Sequence, residues 1–135
     1  MSLPGIRDAI KAALESITSL KKVYDTMPES IGDLPAVTIA PKHGTYHATF
    51  DPGEMGHSFE LTLFITKGQS FAEAQDELDA YIAPTGASSI RAAVEAAILS
   101  THADSIVVTG YRDYGGIEYA GQQYIGCRFD VEVLV

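Results

Sequence analysis

The chain has 135 residues with 18 acidic against 9 basic side chains, a formal net charge of −9, and this balance excludes the basic stripe that groove or backbone binding to nucleic acid requires. A chain of this length is one domain, residues 1–135, that buries roughly two-thirds of its unfolded surface, and the single cysteine, Cys127, rules out an internal disulfide. No window approaches the ~20 apolar residues of a membrane span, and the N-terminus lacks the basic-then-apolar order of a signal peptide, so a protein made and kept in a cytoplasm is expected.

From Leu3, with Pro4 tolerated in the first turn, Ile6, Ile10, Leu14, Ile17 and Leu20 recur at three- and four-residue steps, which predicts an amphipathic helix over residues 3 to about 21. Lys21 and Lys22 then sit at its negative end. Arg7 and Lys11, a turn apart on its outer face, make this the one basic part of the chain. Between Val23 and Leu34 the periodicity lapses into a loop, with a short extended piece at Val23-Tyr24. Ala36 to Ala40, bracketed by Pro35 and Pro41, predicts a strand at a sheet edge or one that stops abruptly. Residues 45–50 and 56–66 flank Asp51-Pro52-Gly53-Glu54, with proline and glycine central as a type II turn prefers, and so predict a hairpin. In its second arm His57, Phe59, Leu61, Leu63 and Ile65 alternate with Ser58, Glu60, Thr62, Phe64 and Thr66, giving one core face and one polar face.

Ser70-Phe71-Ala72-Glu73 has the spacing of a capping box and opens a helix to about Ile82. Phe71, Ala74 or Gln75, Leu78 and Ile82 supply its inner face, while Glu73, Asp76, Glu77 and Asp79 make the rest densely negative, which on most helices is simply a solvated face. Pro84 and Gly86 break it, and Ser88 or Ser89 caps a further helix with the stripe Ile90, Val94, Ala97 and Ile98. Asp104 to Gly110, with Ile106 and Val108 alternating, is a strand that leads through the tyrosine-rich residues 111–121 into the last strand, Gln123 to Val135. There Ile125, Cys127, Phe129, Val131, Val133 and Val135 fall on every second position. A one-residue slip would bury Arg128, Asp130 and Glu132, so the register is strongly specified. Cys127 on the core-facing set is a small buried hydrophobe rather than a reactive thiol. Helix, three strands, two helices and two strands make an α+β fold: an antiparallel β-sheet with the N-terminal helix and two central helices packed on one face and a long C-terminal β-hairpin.

A domain of this length has a compact diameter of about 37 Å, whereas the last strand alone would span roughly 43 Å. The hairpin therefore either curls or carries its tip, around Gly115-Gly116, out as an arm. Tyr111, Arg112, Tyr114 and Tyr119 are of the residue types that concentrate energy at interfaces, so this tip is expected to contact other chains. Glu60, Arg128, Asp130 and Glu132 leave the outward sheet face charged, with no element left to cover it.

No catalytic constellation stands out. His43 and His47 are four apart in extended chain and do not share a helix face as zinc-protease ligands do; His57 lies across the hairpin, and His102 stands alone after a helix. Gly115-Gly116 lacks the lysine of a phosphate loop, and no serine occupies a nucleophile elbow. No catalytic residue, cofactor or metal is assigned.

The layout as a whole resembles the tail-terminator and tail-to-head joining proteins of long-tailed bacteriophages. It does so in the N-terminal helix with Ile6, Ile10 and Leu14, the Leu34-Pro35-Ala36-Val37-Thr38-Ile39 strand entry, the arm Phe59-Glu60-Leu61-Thr62-Leu63-Phe64, the helices beginning at Ser70 and Ser88, and the closing Arg128-Phe129-Asp130-Val131-Glu132-Val133. The resemblance implies a structural virion protein that forms a homohexameric ring at the head-proximal end of the tail and is assembled in the host cytoplasm. It would cap the tail tube, end its polymerisation and join the head connector, with DNA passing through the lumen without specific binding. Glu60, Asp130, Glu132, Glu73, Asp76, Glu77 and Asp79 are the candidates to line that lumen, and Tyr111, Arg112, Tyr114 and Tyr119 to contact a neighbour or the tube. The alternatives are another phage neck, head-completion or tail-tube adaptor on a similar scaffold, and a small enzyme using His43, His47 or His57.

Overall fold

Three helices and five strands follow one another in the computed structural model, which describes residues 3–46, 55–67, 71–96 and 105–134. They are α1 (Leu3–Glu15), β1 (Lys22–Tyr24), β2 (Ala36–Tyr46), β3 (Met55–Lys67), α2 (Phe71–Ile82), α3 (Ile90–Glu95), β4 (Ser105–Tyr119) and β5 (Gln122–Leu134). The strands form one sheet in the order β1-β2-β3-β5-β4, antiparallel except for the short parallel pair β1–β2. All three helices lie on one face of it. The main core joins Ile6, Ile10 and Leu14 of α1, Leu78 and Tyr81 of α2, and Ile90 and Val94 of α3 to Val37, Ile39, Phe59, Leu61, Leu63, Cys127, Phe129, Val131 and Val133 of the sheet.

The first helix ends at Glu15, six residues before the periodicity suggests. The Ser16 hydroxyl donates to the Ala13 carbonyl at 2.6 Å, and the chain goes on in tight turns, with the amides of Ile17 and Leu20 donating to Leu14 and Ile17 three residues back. These turns still deliver Ile17 into the core and Leu20 against it, which is why the helical spacing continues past the helix. Lys21 and Lys22 do not cap α1; the Lys21 amide donates to the Pro35 carbonyl and Lys22 opens β1.

β2 runs on through Pro41 to Tyr46, with an extra residue at Lys42 that shifts its register on β3. Pro41 is tolerated because β1 pairs only with residues 36–38, so the proline has no outer neighbour awaiting an N–H. The predicted first strand and the described part of the predicted first hairpin arm, residues 45–46, are thus one strand, residues 47–50 of that arm lying outside the described residues, and the third strand of the opening set is the three-residue β1. The turn residues 51–54 lie outside the described residues, as do Ser70, Ala97, Ile98, His47 and His102. Of the two candidate caps of α3, Ser89 is the one: its hydroxyl accepts from the Ala92 amide at 3.1 Å and donates to the Ala83 carbonyl at 2.5 Å, closing α2 and opening α3 with one side chain.

The long hairpin does not project at Gly115-Gly116, which lie inside β4 opposite Gly126 and Ile125. The reversal is at Ala120 and Gly121, both with positive φ (53° and 79°), the backbone of a two-residue primed turn. Register shifts at Val108/Gly110 and Arg112/Gly115 give β4 two bulges, with Asp113 at φ 57° in the second, and bulges of this kind bend and twist a strand. The end of the hairpin is held against the sheet's outer face. Tyr119 and Tyr124 stand edge-on to Phe64 at centroid distances of 5.5 and 5.1 Å, and the Tyr119 hydroxyl donates to the Pro28 carbonyl. Ile31, Ala36, Phe64, Ile117 and Tyr124 form a second small core, with Tyr24, Leu34 and Tyr119 around it. The segment between β1 and β2 therefore covers one end of the outer face, which is not bare along its whole length as expected.

Candidate functional site

The uncovered remainder of that outer face carries the chain's concentration of charge. Because side chains alternate, the core positions Phe59, Leu61, Phe129 and Val131 put Ser58, Glu60, Thr62, Arg128, Asp130 and Glu132 on the opposite side. Register then sets them in rows. Ala40, Glu60, Asp130 and Gly110 share one row, and Thr38, Thr62, Arg128 and Arg112 the next. Gly110 leaves space beside Asp130, and Arg112 reaches into it, its Nε 3.2 Å from an Asp130 carboxylate oxygen.

Arg112 is the hub. Its other nitrogens bond Glu60, across β5, and Asp113 at 2.9 Å. Arg128, directly opposite Arg112, pairs with the same Asp113 oxygen at 2.9 Å and lies 3.6 Å from Glu60; Lys42 comes to 3.2 Å from Glu60. Two arginines face each other because two carboxylates bridge them. Glu60 is the most enclosed member, its side chain 18 % exposed, and burial alone would raise its pKa. The hydrogen bonds of Arg112 and Lys42 and their charges outweigh that burial and hold the carboxyl below its ordinary value. Asp113 is lowered too, chiefly by the hydrogen bond from Arg128. Farther along, the Ser58 hydroxyl donates to Glu132 at 2.6 Å, and the Thr109 hydroxyl donates to the Asp130 carbonyl.

A carboxyl with a depressed folded-state pKa adds stability that is present above its unfolded pKa and lost as pH falls through the folded value. For Glu60 the loss begins near the ordinary 4.5 and continues below it. Glu60→Gln is therefore expected to be less stable than the parent chain at neutral pH, with the gap closing as the medium is acidified below the ordinary 4.5. Urea unfolding at a series of pH values measures this, and a gap that stays constant with pH would contradict it.

The residues expected to act together do not share a surface. Arg112 belongs to the outer-face network. Tyr114 is on the helical side, its ring edge-on to Phe71 and its hydroxyl donating to Asp79 at 2.7 Å, which raises the tyrosine pKa. Tyr119 is bound to the covering segment, and Tyr111 alone is freely presented, 54 % exposed. The acids divide likewise: Glu60, Asp130 and Glu132 are on the outer sheet face, and Asp76, Glu77 and Asp79 are on α2, which packs against the other one. The Glu73 side chain lies outside the description. Lys42 and Asp113 enter the network unannounced, because the bulges that aim them break the alternation by which a strand is read.

The histidines diverge as well. His43 borders the outer-face depression beside Ser58 and Glu132, whereas His57 is on the core side with its ring 6.3 Å from that of Phe59, and burial lowers its pKa. Among the described residues no group of three or more His, Cys, Asp or Glu side chains is placed to hold a metal ion, and no helix is long and apolar enough to cross a membrane. Burial pushes the Cys127 thiol up to about 12, which keeps it protonated. No protein-family model matches the chain, and no curated protein matches it either.

Proposed function

We propose that the chain is the subunit of a closed ring that terminates a phage tail tube and joins it to the head connector. The observation that carries this reading is the one-sided cover of the sheet. Helices occupy one face, an ion-paired strip occupies the open part of the other, and neither sheet edge suits open-ended strand addition. β1 is three residues long, β2 carries Pro41 and a bulge, and β4 is bulged twice, with its Val108 amide donating to Glu95 of α3 at 3.0 Å. Association then proceeds through faces, and a face-to-face contact between unlike surfaces closes into a ring when its rotation permits. The acids best suited to a DNA-repelling lumen are Asp76 and Glu77, exposed and in no ion pair among the described residues. Those of the sheet face are largely neutralised by arginine.

Light scattering of the purified protein across concentration, with negative-stain imaging of the same sample and of isolated tail tubes mixed with it, tests the proposal. The expected result is a ring of six times the 14.4 kDa chain mass, free or seated on tube ends. Exchanging Asp76 and Glu77 for Asn and Gln should leave that mass unchanged and lower infectivity. A monomer that ignores tube ends would overturn the reading, and unlimited filaments would replace it with a tube subunit.

A further inference from the structure

The open part of the outer face has the form of a shallow groove with one uncompensated charge. A depression of about 410 Å³ bounded by Lys42, Ser58, Arg112, Asp130 and Glu132 adjoins a second of about 330 Å³ that shares Ser58 and Glu132 and runs on past Val107 to Leu134. Three cations, Lys42, Arg112 and Arg128, are distributed over Glu60, Asp113 and Asp130. The fourth acid, Glu132, has a hydrogen bond from Ser58 and no cation within 4 Å among the described residues. Val107 beside it is 47 % exposed.

The complementary feature is on α1. Arg7 and Lys11 are in no ion pair among the described residues, and they stand one helical turn apart, about 6 Å. The helix packs by Ile6, Ile10 and Leu14 on the opposite side of the sheet, so no chain can bring its own α1 to its own groove. We propose that the groove centred on Glu132 receives Arg7 and Lys11 of a second copy of this chain. Groove and helix are different surfaces, so the contact is heterologous, the kind that makes rings. The inference rests on the ring reading and names the contact that would build the ring.

Charge exchange tests it. Glu132→Lys alone and Arg7→Glu with Lys11→Glu alone are each expected to weaken assembly about 100-fold, since like charges brought together at an interface cost far more than a lost rim contact. The triple variant should recover assembly to within about tenfold of the parent chain. An equimolar mixture of the two separate variants should recover as well, because an even-membered ring can alternate them. Thermal unfolding confirms that each variant folds. If a reversal does not fold, Glu132→Gln and Arg7→Gln with Lys11→Gln replace it, with about tenfold weakening expected. Rings that persist in either reversal, or a triple variant that stays dissociated, would overturn this contact and leave the ring reading standing. A parent chain that never assembles would overturn both.

Discussion

Gly126→Ala is expected to destabilise the protein by about 3 kcal/mol, the upper part of the range for a forced steric intrusion into a packed interior. Gly126 lies on β5 in the middle of the sheet, between Phe64 on β3 and Gly115 on β4. A Cβ built on it would fall 1.8 Å from the Leu63 carbonyl oxygen and 2.8 Å from its carbon. Both atoms are backbone, so no rotamer change relieves the overlap, and β3 and β5 must separate within their ladder, two pairs from its Lys67–Tyr124 end. The close approach is next to the register shift at Phe64/Thr66, where β3 carries an extra residue and bends. Gly32→Ala is the control, because nothing lies within 4 Å of its added Cβ and its φ is ordinary; that change should stay within about 0.5 kcal/mol. Urea unfolding of the two variants makes the comparison, and an alanine at 126 that behaves like an alanine at 32 would refute the close approach.

The same bulges mark where the chain could be read and where it could not. Along Phe59, Leu61 and Leu63, and along Cys127, Phe129, Val131 and Val133, alternation runs unbroken, and every one of these residues is in the main core. The α+β class and the one-sided packing of the helices follow from that pattern and from the stripes of Ile6, Ile10 and Leu14 and of Ile90 and Val94. What the pattern does not show is the cover that the segment between β1 and β2 lays over one end of the outer face. Tyr124, which alternation places on the side opposite Ile125 and Cys127, is buried in the second core, whereas Ile125 only packs against the first. On β4, the extra residue at Thr109 and the left-handed Asp113 change which neighbours share a face, so nothing local showed that Arg112 and Tyr114 part company. The charges of the candidate site were legible as charges. Their cancellation was not, since it depends on Lys42 and Asp113 being aimed by bulges and on Arg112 crossing a strand to reach Glu60.

Phe64 is the residue where this difference has its largest energetic consequence. Its position among Ser58, Glu60, Thr62 and Thr66 reads as solvent-facing, yet it is 1 % exposed and is the hub of the second core. Phe64→Ala is expected to cost about 3–4 kcal/mol, as for other buried aromatic truncations. The loss should also have a location. Phe64 is what Tyr119 and Tyr124 stack against, and through the Tyr119 bond to Pro28 it ties the hairpin end to the segment between β1 and β2. Without the ring, that segment loses its main apolar anchor and should open at far lower free energy than the sheet. Leu61→Ala, a truncation in the main core, is expected to lower global stability by a similar amount, about 2–5 kcal/mol, without selectively exposing that segment. Hydrogen exchange therefore separates the two. In Phe64→Ala the amides of residues 25–34 should exchange well before those of β3 and β5, and near-ultraviolet dichroism from the tyrosines should fall while the far-ultraviolet signal persists. Uniform loss of protection in both variants would mean that the second core is no independent unit, and that the cover over the outer face is held by the sheet itself.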